Sequence, residues 1–356
     1  MEEYLVSLSC LLIATFLDYL IGDPLWCLHP VQVMGWVVTG STRLWWRSWA
    51  AWQLKSKDFS TPERQQLQQK FLGQKFLEQR LLERLVGIYL AVMLLGGSGG
   101  LAAWGIQIAK ELNLGLGIFL SSVILASCLA GRSLRYAAVA VLAPLKTGDR
   151  ETARQVLGRY VGRDTAELSA PDIYRAVLET VTENATDGVM APLFYGWLGL
   201  MLWGLPGVGL AIAYKALSTL DSMVGYLTLP YTHLGWASAK LEDLITWLPC
   251  RLHVLTLALF SGRPLEVLAI CFRDAPQDPS PNSGWSEGVY AAILGVQVGG
   301  DNSYQGVIKS KPLLGDDRQP ITESIIIQSL NLTHYAFLFW LGIGGFCLMV
   351  GAQIGV

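Results

Sequence analysis

Twenty-five consecutive residues, Leu85–Ala109 (LVGIYLAVMLLGGSGGLAAWGIQIA), carry no charge. A hydrocarbon core about 30 Å thick needs ~20 apolar residues per helix, and lipid leaves a spanning backbone few options but the helix. Leu114–Ala130 follows after only Lys110, Glu111, Leu112 and Asn113, which predicts an antiparallel hairpin. Further membrane segments are expected at Tyr4–Ile21, Val189–Tyr214, Leu244–Phe260 and Tyr335–Ile354. Val189–Tyr214 is broken by Leu205-Pro206-Gly207, and Leu244–Phe260 contains Arg251 and His253. The expected fold is all-α: a polytopic helical membrane bundle of about 4–6 membrane segments forming a single domain.

Composition agrees. Of 356 residues 52% are hydrophobic and 15% charged, against about 25% charged in soluble domains. The Gly96–Gly100 cluster resembles a phosphate loop, but no Gly-Lys-Ser/Thr follows and it lies inside a span, so close helix packing is expected there. A net charge of −2 gives no basic excess for nucleic acid. The six cysteines are scattered with no Cys-x-x-Cys pair and read as reduced hydrophobic fillers. The N-terminus, acidic at Glu2 and Glu3 and interrupted by Asp18, reads as a retained first helix rather than a cleaved signal.

Polar regions separate the spans. Residues 43–84 hold nine Lys/Arg against four acids, which predicts a cytoplasmic loop, with Arg64–Arg84 lying amphipathically along the membrane surface. Residues 131–188 are expected on the same side, with a helix start at Ser169-Ala170-Pro171-Asp172. Residues 261–333 read as loop with short helices.

Five clusters carry the polar chemistry. Asp18 shares a helix face with Gly22 and precedes Asp23-Pro24 and His29-Pro30; a carboxylate in an apolar helix marks function, though capping at the span's end is the alternative. Gly131-Arg132, with Arg135, stands where the third span meets the cytoplasm, as a phosphate or carboxylate clamp or as ordinary positive flanking. Glu179, Glu183 and Asp187 fall at i, i+4 and i+8; three like charges so stacked suit a divalent cation such as magnesium, against a solvated stripe. Lys215 and Asp221, with Glu242, Asp243 and Arg251 downstream, sit in apolar surroundings, where a structural ion pair is the rival reading. The rigid stretch Arg273–Glu287 displays Asp274, Ser280, Asn282 and Glu287, or is a plain tight turn.

These stretches resemble the CobD/CbiB family, the adenosylcobinamide-phosphate synthases, from about Asp18 to Arg318. The similar motifs are Asp18-x3-Gly22-Asp23-Pro24 with His29-Pro30, Gly131-Arg132, Glu179-Thr-Val-x-Glu183-Asn184-x2-Asp187-Gly188, Tyr214-Lys215 with Thr219-Leu-Asp221-Ser-Met-Val-Gly225, Asp243 with Arg251-Leu252, Arg273-Asp274-Ala, Pro279-Ser-Pro-Asn282-x-Gly284-Trp285, and Lys311-Pro-x-x-Gly315-Asp316. The chain departs from the family pattern at Asp278, where His is usual, at Gly288-Val289, and at Ser218 and Thr246, where Asn is usual.

The resemblance implies a multi-pass inner-membrane enzyme of cobalamin biosynthesis facing the cytoplasm. Its substrates would be the corrinoid adenosylcobyric acid and (R)-1-amino-2-propanol O-phosphate or the free amino alcohol, with ATP and Mg2+ as cofactors. Membrane lipid surrounds it, and other cobalamin-pathway enzymes are conceivable partners. Glu183, Asp187, Asp23 and Asp18 are the expected metal ligands. Arg132, Lys215 and Arg251 would clamp phosphates, and Asp221 or Asp274 would take the amine proton. His29, Ser280, Asn282 and Glu287 would contact substrate. The alternatives are a non-catalytic membrane sensor related to the AmpE signalling proteins, or a transporter; polar residues concentrated in loops rather than spans favour an enzyme.

Overall fold

The computed structural model describes residues 2–22, 29–55, 63–225 and 231–354. Its helices are α1 (Glu2–Leu20), α2 (Pro30–Lys55), α3 (Glu63–Leu112), α4 (Leu114–Cys128), α5 (Gly131–Lys146), α6 (Arg150–Leu157) and α7 (Ala170–Asn184). They continue as α8 (Ala191–Trp203), α9 (Gly209–Val224), α10 (Trp236–Phe260), α11 (Pro264–Asp274), α12 (Ser283–Leu294) and α13 (Glu323–Ile354). A two-stranded hairpin, β1 (Val298–Tyr304) with β2 (Val307–Leu314), lies between the last two helices. Among the described residues five segments are long and apolar enough to cross a membrane: Glu2–Leu20, Gln79–Leu112, Leu114–Lys146, Trp236–Phe260 and Glu323–Gly351. The protein is a helical membrane bundle.

The Leu85–Ala109 run lies within α3, and α3 and α4 turn at Asn113. Its side chain accepts the Leu116 N–H at 3.1 Å, capping α4. Lys110 pairs with Glu3 at 2.7 Å, so this turn and the start of α1 share one end of the bundle. Residues 64–84 depart from the surface-lying helix expected of them. They run straight into the span as part of a single 50-residue helix, since no Pro or Gly pair stops propagation at Arg84.

Val189–Tyr214, broken at Pro206-Gly207, forms a helical hairpin. Gly204 (φ +63°) and the 3-10 turn Leu205–Val208 reverse the chain beside Glu3, and α9 returns antiparallel to α8. The two arms meet through backbone. A Cβ on Gly199 would come within 2.0 Å of the Gly207 carbonyl oxygen, and one on Gly209 within 2.6 Å of that of Gly99 in α3. Such approach is open only to glycine. Higher up, Tyr195 stacks on Tyr214 at 5.3 Å.

At the opposite end from Glu3 sit α5, α6, α7, α11, α12 and the β hairpin. Helix α7 opens with a capping box, Ser169 and Asp172 bonding each other's backbone N–H, and buries Ile173, Ala176, Val177 and Val181. The 261–333 region is more ordered than the loop expected from its prolines and glycines. The hairpin closes at Gln305 (φ +52°) and Gly306 (φ +78°), two left-handed residues as a type I′ turn requires. Its glycine-rich strand hides the alternating pattern by which strands are read. Two anchors hold it down. Glu179 accepts the Gly299 N–H at 2.9 Å and pairs with Arg163 at 2.5 Å, both side chains being buried. Asp164 accepts from the Ser303 hydroxyl at 2.6 Å, Gln305 N–H at 3.0 Å and Gly306 N–H at 2.8 Å.

Those three donors, Gly306 first, hold the Asp164 carboxyl below its ordinary range. A carboxyl so lowered stabilises the fold above its unfolded pKa and loses that stabilisation as pH falls through the folded value. The turn should therefore tighten at neutral pH and loosen below 3.8. Asp164→Ala should raise amide exchange at Gln305 and Gly306 by about tenfold, leaving α7 protected; unchanged exchange at the turn would remove this role from Asp164.

Candidate active site

The end of α7 is followed by a π-helical turn, Ala185–Met190, which runs into α8. One extra residue per turn rotates the helix beyond it, so Glu179, Glu183 and Asp187 do not form the straight stripe their spacing suggests. The turn is fixed from its inner side. The Thr186 hydroxyl bonds His253 Nδ1 at 3.0 Å and Ser286 Oγ at 2.7 Å, and Ser286 donates to the Thr182 carbonyl at 2.6 Å. His253 Nε2 then meets the Tyr290 hydroxyl at 3.3 Å, which bonds Thr333 at 2.6 Å. This buried chain joins α10, α12 and α13 behind the turn.

On the other side the antiparallel arms bring Glu183 and Asp187 together with Lys215 and Asp221, and α10 adds Glu242 and Asp243. Thr246, which hydrogen-bonds Glu242 at 2.5 Å and Tyr214 at 3.0 Å, holds Glu242 in place. Glu183 is the hub. It lies in electrostatic range of Asp187, of Asp221 and Glu242, and of the buried Glu287–Lys311 pair (3.3 Å) from α12 and β2. Burial pushes the Asp187 carboxyl well above the usual range; Glu242, Glu183 and Asp221 push the same way and Lys215 opposes them. Burial also lifts Glu287, to about 8; Lys311 pulls it down, while Glu183, Glu179 and Asp278 raise it. Burial alone would lower the Lys311 ammonium, but the surrounding carboxylates outweigh it and keep it above the ordinary lysine range. An excess of buried negative charge is what a cation or a proton relieves.

The structure sorts the expected site residues by whether their polar atoms are already engaged. Glu183, Asp187 and Lys215 make no hydrogen bond or ion pair through their side chains among the described residues, and buried Oδ1 atoms of Asp221 and Asn282 also have no partner. Unsatisfied buried oxygens in one neighbourhood call for an explanation, and a ligand or ion supplies one. Other expected residues hold the architecture together. His29 accepts the Val31 N–H on Nδ1 at 3.2 Å, at the start of α2. Arg132 donates to the Tyr19 carbonyl at 2.7 Å and to that of Leu20, satisfying the end of α1. Gly22 (φ +62°) makes room for it, since a Cβ there would lie 2.9 Å from Arg132 Cδ.

Asp18 lies against Gly131, where α5 begins, with Arg132 beside it. It sits at the helix termini of α1 and α5, where the Ala130 N–H bonds the Gly188 carbonyl of the turn that carries Asp187. Asp23 falls outside the described residues. Asp274 accepts from Arg273 at 2.7 Å and from Gly315 N–H at 2.9 Å, a joint between α11 and the end of β2 rather than a free base. Arg251 stacks on Trp285 at 4.3 Å and donates to the Pro281 carbonyl at 2.7 Å, so its guanidinium shapes the Pro279–Asn282 loop. Ser280 accepts from Asn282 N–H at 3.2 Å, and Asp278, in place of the family's usual histidine, accepts from Ser280 N–H at 2.9 Å and Ser283 Oγ at 3.1 Å. Asp278 is thus a turn former here.

Sequence reasoning did not single out Lys311 as a site residue and left Glu242 among the flanking charges. The signal for Glu242 was its i, i+4 spacing to Thr246 in an apolar run. The signal for Lys311 was its place in the family-like Lys311-Pro-x-x-Gly315-Asp316 motif, but with its strand unrecognised nothing linked it to Glu287.

The CobD/CbiB protein family model matches residues 11–333. The chain belongs to the CobD/CbiB family. It is 47% identical over 345 residues to the cobalamin biosynthesis protein CobD of Synechocystis, covering 96% of this chain and 92% of that one. To CobD of Yersinia enterocolitica it is 37% identical (94% and 95% covered), and to cobalamin biosynthesis protein CbiB of Salmonella typhimurium 35% (97% of each). No solved structure matches. The carboxylate cluster draws on the family stretches at Glu183–Asp187, Lys215–Asp221, Asp243 and Lys311.

Asp187 and Asp274 should separate in stability. A carboxyl whose folded pKa is raised stabilises the fold below its unfolded pKa and loses that as pH rises toward the folded value. Asp187→Asn should therefore raise thermal stability in detergent at neutral pH by about 1 kcal/mol and flatten its decline above pH 3.8. Asp274→Ala, stripping Gly315 and Arg273 of their partner, should cost about 2 kcal/mol. A destabilised Asp187→Asn protein would mean that Asp187 is structural.

Proposed function

We propose that this CobD/CbiB protein acts in cobalamin biosynthesis as an amide-forming ligase. It joins (R)-1-amino-2-propanol O-phosphate to the propionate side chain of adenosylcobyric acid, with hydrolysis of ATP, to give adenosylcobinamide phosphate. Family membership supports the pathway. The observation that carries the chemistry is the group of unengaged polar atoms at Glu183, Asp187, Lys215, Asp221 and Asn282.

A carboxylate is a poor electrophile, so amide formation needs activation. A propionate oxygen attacks the γ-phosphorus of ATP and ADP leaves, giving an acyl phosphate. The amine nitrogen then attacks the acyl carbon, phosphate departs and the nitrogen loses a proton. Asp221, with a buried oxygen free, suits the proton acceptor. Lys215, with no carboxylate within ion-pair distance among the described residues, suits the transferring phosphate or the incoming propionate.

So acidic a site would repel a triphosphate unless a cation came with it. Among the described residues no three acidic, His or Cys side chains form a ready-made metal cage. Magnesium usually takes only one or two protein carboxylates and completes its octahedron with phosphates and water. Glu183 and Asp187 fit that requirement. Magnesium bound there would neutralise phosphate charge. The site lies at the end of the bundle away from Glu3, and placing that end in the cytoplasm matches the supply of ATP.

Purified protein supplied with adenosylcobyric acid, aminopropanol phosphate, ATP and magnesium should yield a corrinoid with the mass of cobinamide phosphate. Asp187→Asn and Lys215→Met should each lower kcat at least about 100-fold while the proteins remain folded. Folded wild-type protein that forms no product would overturn the ligase reading, and a fully active Asp187→Asn protein would remove the metal assignment.

A further inference from the structure

A cavity of about 960 Å³ lies between α1, α5 and α13. Its walls are mostly apolar and come from Leu12–Leu20, Gly131–Val139 and Leu330–Leu341, with Val189 of the π turn added. Phe16, Leu12, Leu338 and Val139 line it yet remain about half exposed, so it opens sideways through the bundle's apolar face rather than toward water. Its lining includes about seven residues' length of α1, from Leu12 to Tyr19, and of α13, from His334 to Leu341. At 1.5 Å per residue that is about 10 Å, most of the ~15 Å depth of one leaflet's hydrocarbon.

One end is polar. Arg132, Arg135 and His334 gather there. Arg132 uses Nη1 on the α1 carbonyls and Arg135 uses Nη2 on Asn331 (2.8 Å), leaving each guanidinium further N–H groups. Neither forms an ion pair with a carboxylate among the described residues. Asp18 also lines the cavity, so two guanidinium charges stand over one carboxylate. A largely apolar slot that spans most of one leaflet, opens to the bilayer and is topped by two arginines with N–H groups to spare matches an acyl chain joined to a phosphate.

We infer that the groove between α1, α5 and α13 holds one anionic phospholipid of the adjacent leaflet, its acyl chain along Leu12, Phe16 and Leu338 and its phosphate on Arg132 and Arg135. This site is independent of the ligase reading. The occupant reaches it by lateral diffusion and brackets the junction between α1 and α5 from the lipid side.

Native mass spectrometry of the delipidated full chain in detergent tests it, with added dioleoyl phosphatidylglycerol or phosphatidylcholine as probe. One phosphatidylglycerol per chain should be retained about tenfold more strongly than phosphatidylcholine. Arg135→Gln should remove that preference, and Leu338→Trp, which fills the slot, should lower retention of both lipids about tenfold. A melting temperature matching the wild type shows each variant folded; should Leu338→Trp melt early, Val139→Trp replaces it. Equal retention of the two lipids overturns the proposal, as does an adduct indifferent to both variants, which would be annular lipid only. Displacement of the lipid by adenosylcobyric acid would also overturn it and assign the groove to the corrinoid.

Discussion

The architecture depends on how closely backbones approach in the interior. Helix α8 and the turn that starts α9 can fold back on each other because Gly199 and Gly207 face each other with no Cβ between them, and α9 can press on α3 because Gly209 meets Gly99. In lipid no hydrophobic gain drives helices together, so packing of this kind carries the association. Its geometric product is the site. A hairpin that turns beside Glu3 must bring both its open ends to the same distant level, and those ends carry Glu183 and Asp187 on one side and Lys215 and Asp221 on the other. Larger residues at the contact would separate the arms and, with them, the charges.

The cluster departs from ordinary burial rules. Ionised groups inside a protein are normally paired or hydrogen-bonded, and this protein obeys that rule elsewhere: Glu179 has Arg163 and Gly299, and Asp274 has Arg273 and Gly315. Around Glu183 the rule lapses. The Thr186–His253–Ser286–Tyr290–Thr333 chain holds the π turn from behind, so Asp187 cannot swing away from its like-charged neighbours. Repulsion held in place by a rigid support is a common arrangement at sites built to receive a cation or transfer a proton.

The helical bundle was legible in the sequence because the length of an apolar run is a direct readout of bilayer thickness. Leu85–Ala109 and the four-residue link to Leu114 sufficed for the α3–α4 hairpin. Pro206-Gly207 marked the turn between α8 and α9, although periodicity could not say how deeply the hairpin reaches. The β hairpin escaped because Gly299, Gly300 and Gly306 carry no side chain to alternate. Among polar residues, the motifs located the right neighbourhoods but not the division of labour. Arg251 and Asp274 carry the same charges as true ligand groups, and only their bonds to Pro281 and Gly315 reveal structural duty. Asp187 and Lys215 differ from them by having no such bond, a property that a linear sequence does not encode.

The contact of Arg132 with Gly22 and the α1 carbonyls joins two stretches 113 residues apart into one mechanical joint. A Cβ at position 22 would collide with the arginine, and a shorter residue at 132 would leave the helix end without its donors. The two motifs therefore form a single unit of exchange. A chimera that borrows the first helix from a relative inherits a workable joint only when it borrows the start of α5 as well.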